Sequence, residues 1–138
     1  MLRRLILVII GISAFSYSQV SGWVTDFAEG VRLAKSQGKE VLLYFYGDHC
    51  PYCLHMEEFV LGDPEVDSYI KERFVVVSLN IEDSVELDRK FNVFGTPYFV
   101  VYDPRSDRIV LRIFGSRERE DFLNLLIKAC KKTNLRRC

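Results

Sequence analysis

Two cysteines two residues apart follow directly on an apolar and aromatic run: Val41-Leu42-Leu43-Tyr44-Phe45-Tyr46, then Gly47-Asp48-His49, then Cys50-Pro51-Tyr52-Cys53. No other stretch limits the fold so tightly. An apolar run without alternation reads as a strand buried on both faces. Proline is tolerated in the first turn of a helix, where its missing N–H has no intrahelical partner in any case. Cys50 is therefore expected where the strand ends and a helix over Pro51–Val60 begins. Unpaired backbone N–H groups at that place favour a thiolate over a thiol, and the thiolate is the nucleophile of disulfide exchange. Cys53, three residues on, shares a helical face with Cys50 and can close a ring with it. The spacing marks Cys50 and Cys53 as the candidate catalytic pair, a redox-active disulfide when oxidised.

At 138 residues with 49% hydrophobic and 13% aromatic content, the chain is read as one domain with a real core. It carries 19 basic and 19 acidic side chains, so no basic excess points to nucleic acid. Arg3-Arg4, the run Leu5–Ile12 and the small-residue site Ser16-Tyr17-Ser18 read as a secretory signal over residues 1–18. The run falls short of the ~20 residues a membrane span needs. An uncleaved membrane anchor and a buried first element remain the other readings. Residues 19–132 then form the domain, and residues 133–138 a basic tail. Export places the four cysteines where disulfides persist.

A first helix is expected from Trp23 to Gly38, with Asp26 as cap and Glu29 as its capping-box partner. After the central strand and the cysteine helix, Gly62 breaks the pattern. Asp63-Pro64 supplies a cap and a first-turn proline for a short helix to about Glu72. Phe74–Asn80 is a second buried strand and Ser84–Phe91 a short helix. Tyr98–Tyr102 and Ile109–Phe114 pair as an antiparallel hairpin across Asp103-Pro104-Arg105-Ser106-Asp107. The last helix opens at Ser116, with Phe122, Leu125, Leu126, Ala129 and Cys130 along one stripe. The order gives an α/β sandwich with parallel central strands and one hairpin.

With Cys50-Pro51-Tyr52-Cys53 behind a buried strand, Thr96-Pro97 directly before a later strand, and Asn80-Ile81-Glu82 ending the strand between, the chain resembles the thioredoxin superfamily over roughly residues 23–132. Gly38-Lys39 and Met56-Glu57-Glu58 with Asp63-Pro64-Glu65-Val66 look most like its exported bacterial branch, SoxW-like and DsbD C-terminal-domain-like proteins. Members of that branch serve sulfur oxidation, cytochrome c maturation and reducing relays across the inner membrane. The resemblance implies a mixed central sheet flanked by helices on both faces, a cis Thr96–Pro97 bond, and no cofactor. It also implies a thiol–disulfide oxidoreductase acting as a monomer on exported protein thiols and disulfides, with a membrane electron donor or acceptor. Thr96 and Pro97 would meet the substrate by strand addition, beside Pro51 and Tyr52.

The chain departs from the family at three places. The buried carboxylate usual six residues before the first cysteine is Tyr44, its companion lysine is Ser78, and the usual tryptophan before the first cysteine is His49. A proton relay of the cytosolic kind is not carried over. His49 reads either as an exposed loop residue or as an imidazolium lowering the Cys50 pKa, with Asp48 opposing it. A metal carrier using Cys50, Cys53 and a histidine is the alternative function. His55 lies well round the helix from Cys50, so a full set of metal ligands does not converge easily. Cys130 reads either as a buried free thiol or as the partner of Cys138 in a structural disulfide.

Overall fold

The computed structural model describes residues 22–135 and 137–138; the signal expected over residues 1–18 lies outside the described residues. Helix α1, Phe27–Gln37, starts where the Asp26 side chain accepts from the Glu29 N–H at 2.8 Å. It ends at Gly38, which takes a left-handed φ of 64° and donates its N–H to the Ala34 carbonyl. The helix is shorter at its start than its sequence pattern suggests. Val24 instead pairs with Val77 as an isolated parallel bridge: its N–H reaches the Val76 carbonyl at 2.9 Å and its carbonyl takes the Ser78 N–H at 2.8 Å. Those edge groups were open to pairing, and an extended Trp23–Val24 satisfies them better than another helical turn.

Strand β1 is Glu40–Tyr46, and α2, Pro51–His55, passes without a break into a π-helical turn, Met56–Leu61. The sequence predicts a single α-helix there. The wider turn seats Met56, Val60 and Leu61 in the core and leaves Phe59 outside. Helix α3 is Pro64–Arg73, capped by Asp63, which accepts from both Glu65 N–H and Val66 N–H. Then follow β2 (Phe74–Asn80), α4 (Val85–Phe91), β3 (Tyr98–Asp103), β4 (Arg108–Phe114) and α5 (Arg119–Lys131). Helix α5 begins three residues later than Ser116, because Ser116–Glu118 stays non-helical and the Arg117 N–H points at Met56 Sδ, 3.3 Å away.

The sheet order is β2-β1-β3-β4. β1 and β2 are parallel, as a crossover through α2 and α3 requires. β3 is antiparallel to β1, and β4 to β3. The expectation of parallel central strands thus holds for one pair only. The reason is that the chain leaves α4 at the end of the sheet where β1 finishes, so β3 runs back beside β1.

Side chains alternate across the sheet. Leu42, Tyr44, Val76, Phe99 and Val101 face α2, α3 and α5, and the other face, with Leu43, Phe45, Val77 and Val100, is covered by α1 and α4. On that second face Gly30 of α1 lies against β2, where a Cβ would collide with Val77 Cγ2. Gly30→Ala is expected to destabilise by about 1–3 kcal/mol through overpacking. Chemical denaturation should show a lower midpoint at an unchanged slope. Among the described residues no helix is long and apolar enough to cross a membrane.

Candidate active site

β1 ends at Tyr46, and four residues later Cys50 stands as the N-cap of α2 with extended φ/ψ of −125° and 91°. Pro51 fills the first helical position. The Cys53 N–H reaches back to Cys50 Sγ at 3.1 Å. That donor meets the sulfur on which negative charge develops when the pair opens, and a hydrogen bond to the charged form favours it. Cys50 and Cys53 are joined as a disulfide with Cα atoms 5.2 Å apart. Their surroundings differ: Cys50 is half-buried, whereas Cys53 is 2% exposed and packs in the core with Met56 and Tyr44. Of the two sulfurs, that of Cys50 is the more open to solvent.

Beneath the pair, Tyr44 is fully buried, stacked on Phe99 with ring centroids 4.9 Å apart and edge-on to Trp23 at 5.9 Å. Its hydroxyl donates to Glu57 Oε1 at 2.8 Å. Burial first, then the Glu57 carboxylate, push the phenol well above its usual pKa, so it stays a donor. A carboxylate thus meets the Tyr44 hydroxyl, supplied by the helical segment after Cys53 instead of by β1. Glu57 follows Cys53 by four residues, a spacing that faces one side of a helix; that spacing was the available signal in the sequence, and sequence reasoning passed over it.

Pro51 and Tyr52 lie in the first turn of α2, and Tyr52 is 67% exposed. Together with His55 they line one wall of an open cavity of ≈ 610 Å³, faced by Ser116, Arg117 and Glu118 from the segment before α5 and by Asp121 from its first turn. On another side lies the loop before β3. Its Thr96–Pro97 bond is cis. A Cβ at Gly47 would come within 3.3 Å of Thr96 Oγ1, so this loop runs against the turn that leads to Cys50. Phe94 is 74% exposed and packs at a tilt against Phe114, ring centroids 4.6 Å apart, and the Phe114 ring covers Gly95. Neither ring stood out in the sequence, because both lie at positions a core also fills.

The two histidines do not converge. His49 is exposed on its turn, and His55 leans on Phe59 at 5.3 Å. Among the described residues no group of three or more His, Cys, Asp or Glu side chains is placed to hold a metal ion.

Cys130 and Cys138 lie apart from this site, at the far end of α5, and are joined as a disulfide. Cys130 is fully buried. The tail beside it is tied to the end of α3: the Arg137 carbonyl accepts from Arg73 Nε, and the Arg137 guanidinium donates to the Glu72 carbonyl, both at 3.0 Å. Oxidised protein should show no free thiols in denaturant and release four on reduction. A Cys138→Ser variant should lose about 2–3 kcal/mol by the loop-closure relation, read from its denaturation midpoint.

The profile of the thioredoxin-like domain family matches residues 27–129. Over 109 residues, 77% of its length, the chain is 29% identical to the thiol:disulfide interchange protein DsbD of Ralstonia nicotianae. It is 35% identical over 94 residues, 65% of its length, to DsbD of Pseudomonas fluorescens. The chain spans less than a fifth of these relatives, 18% and 16%. Among solved structures, a thioredoxin from Thermus thermophilus is 40% identical with a TM-score of 0.76, covering 83% of this chain and 91% of that one. The oxidised C-terminal domain of Neisseria meningitidis DsbD shares the fold at 22% identity with a TM-score of 0.66, covering 78% of this chain and 98% of that domain.

Proposed function

The chain belongs to the thioredoxin-like domain family; from that premise we propose that it is a thiol–disulfide oxidoreductase and that Cys50 and Cys53 carry its exchange chemistry with exported protein partners. The observation that supports this most is the asymmetry of the pair: a reachable sulfur at a helix N-cap, hydrogen-bonded by the next turn, and a buried sulfur behind it. In the reduced protein, the Cys50 thiolate attacks a substrate disulfide. One substrate sulfur bonds to Cys50 and the other leaves as a thiolate. Cys53 then gives up its proton and attacks Cys50 Sγ. The Cys50–Cys53 disulfide forms, the first substrate sulfur leaves, and two electrons have passed to the substrate. Glu57, which accepts from the hydroxyl of the buried Tyr44, is the carboxylate we assign to take that proton. Thr96 offers backbone groups to an extended substrate strand, Pro97 shapes that loop, and Pro51 and Tyr52 form the rim between the two sulfurs.

Residues 1–18 are proposed as the export signal, 19–132 as the domain and 133–138 as a basic tail. Support comes from the basic and apolar opening of the sequence and from the likeness to DsbD. On this reading the protein works outside the cytoplasm as a monomer, fed or drained by a membrane electron carrier. Its setting is a SoxW-like or DsbD-like relay, in sulfur oxidation or cytochrome c maturation. Insulin reduction by dithiothreitol tests the activity: the protein should accelerate it, and the reduction potential should fall between about −270 and −120 mV. No acceleration, together with stoichiometric metal in the purified protein, would give the metal-carrier reading first place.

A further inference from the structure

Resting on the exchange reading just given, we propose that Asn80 is a positioning residue for Cys50: its amide clasps the Asp48 carboxylate and holds that negative charge away from the attacking sulfur.

Asn80 closes β2 in register with Tyr46, the last residue of β1. Its neighbour Ile81 donates an N–H to the Tyr46 carbonyl at 3.0 Å, so the two strand ends are locked together. The Asn80 carbonyl accepts from the Asp83 N–H at 3.1 Å and from Ser84 Oγ at 2.6 Å. The Asn80 side-chain Oδ1 accepts from the Glu82 N–H at 3.0 Å. That donor fixes which end of the amide points where. Nδ2 is left facing the turn after β1, and it donates to Asp48 Oδ1 at 2.8 Å. The clasp thus joins the loop that carries Cys50 to the loop that leads into α4.

Asp48 precedes Cys50 by two residues. A carboxylate that near disfavours a thiolate, by an amount set by distance. A neutral amide leaves the charge intact and controls only its place. The other titratable or charged groups around the site are His49 on the same turn, His55 on α2, Glu57 on the Tyr44 hydroxyl, and Arg117, Glu118 and Asp121 across the cavity. On the side of the clasp lie Glu82 and Asp83, both exposed and both acidic. Without the amide, those two carboxylates repel Asp48, and the N–H groups that open α2 attract it. It then swings back toward Cys50, and the thiolate becomes harder to form.

Asn80→Ser separates positioning from folding. A serine hydroxyl still accepts from the Glu82 N–H but falls short of Asp48. The readout is alkylation of Cys50 by iodoacetamide in the reduced protein, followed on the Cys50 peptide across pH; sulfur displaces iodide, and no partner protein is needed. Asn80→Ser should slow alkylation at neutral pH about two- to threefold, by raising the thiol pKa. Asp48→Asn should speed it by a similar factor. The double variant should match Asp48→Asn alone, because Asn80 acts through Asp48. No effect of Asn80→Ser, or an equal slowing in both backgrounds, overturns the proposal. Failure of the exchange reading shows separately, as wild-type protein that does not reduce insulin.

Discussion

Cys53→Ser protein, expressed in its own host, is expected to be recovered as covalent complexes with partner proteins, and Cys50→Ser protein is not. Both variants should lose at least about a thousandfold in insulin reduction, the scale on which removal of a nucleophile acts. The reasons for the loss differ. In Cys53→Ser the half-buried Cys50 sulfur remains with its N–H donor, 3.1 Å away, so attack proceeds and stops at the mixed disulfide. In Cys50→Ser the remaining sulfur is 2% exposed, and a partner disulfide cannot reach it. Non-reducing gels should show ladders with the first variant that collapse on dithiothreitol and never appear with the second. Equal trapping by both would mean that Cys53 is reachable in solution and that the order of attack is wrong.

The site was legible in the sequence where chemistry and local backbone coincide. Cys-Pro-Tyr-Cys after an unbroken apolar run fixes strand, cap and helix at once, and Cys50 indeed caps α2 with Pro51 at the first helical position. Asp26, Asp63 and Gly38 act as the caps their residue types predict. What escaped depends on contacts distant in sequence. Trp23 and Val24 carry a helical pattern, yet the open edge of β2 draws them into an extended bridge. The direction of β3 depends on the end of the sheet at which the chain leaves α4, which periodicity cannot report. Tyr44 looked like the loss of a carboxylate. The carboxylate instead arrives from Glu57, thirteen residues away, along a helix whose π turn was not foreseen. Asn80 was read as a strand end, and its tie to Asp48 crosses thirty-two residues.

Stability is expected to fall as pH rises from 5 to 8, on account of one carboxyl far from the cysteines. Glu40 opens β1 and is fully buried. Its Oε1 accepts from Arg105 Nη2, while Oε2 has no hydrogen-bond partner among the described residues. Arg105 also bridges to Asp103 at 3.3 Å. Burial first, then the Asp103 charge, raise the Glu40 carboxyl to about 7, against the pull of Arg105 and Arg108. A folded-state pKa above the unfolded value of 4.5 means the native protein binds the proton more tightly. The stabilisation is therefore complete below about 4.5 and is lost as pH rises through about 7. A shift of that size amounts to about 3 kcal/mol at most. Glu40→Gln keeps the shape and cannot ionise. The acids held below their ordinary range (Glu29, Asp63, Asp103 and Asp107) act at lower pH and are common to both proteins. The wild-type stability minus that of Glu40→Gln, from urea titrations, should fall by about 2–3 kcal/mol between pH 5 and pH 8. Arg105→Ala should add the complementary result. At pH 8 it strands an ionised carboxylate in the core and should cost about 3–5 kcal/mol, and clearly less at pH 5, where Glu40 is protonated. A flat difference for Glu40→Gln would show that the carboxyl titrates as if it were in water.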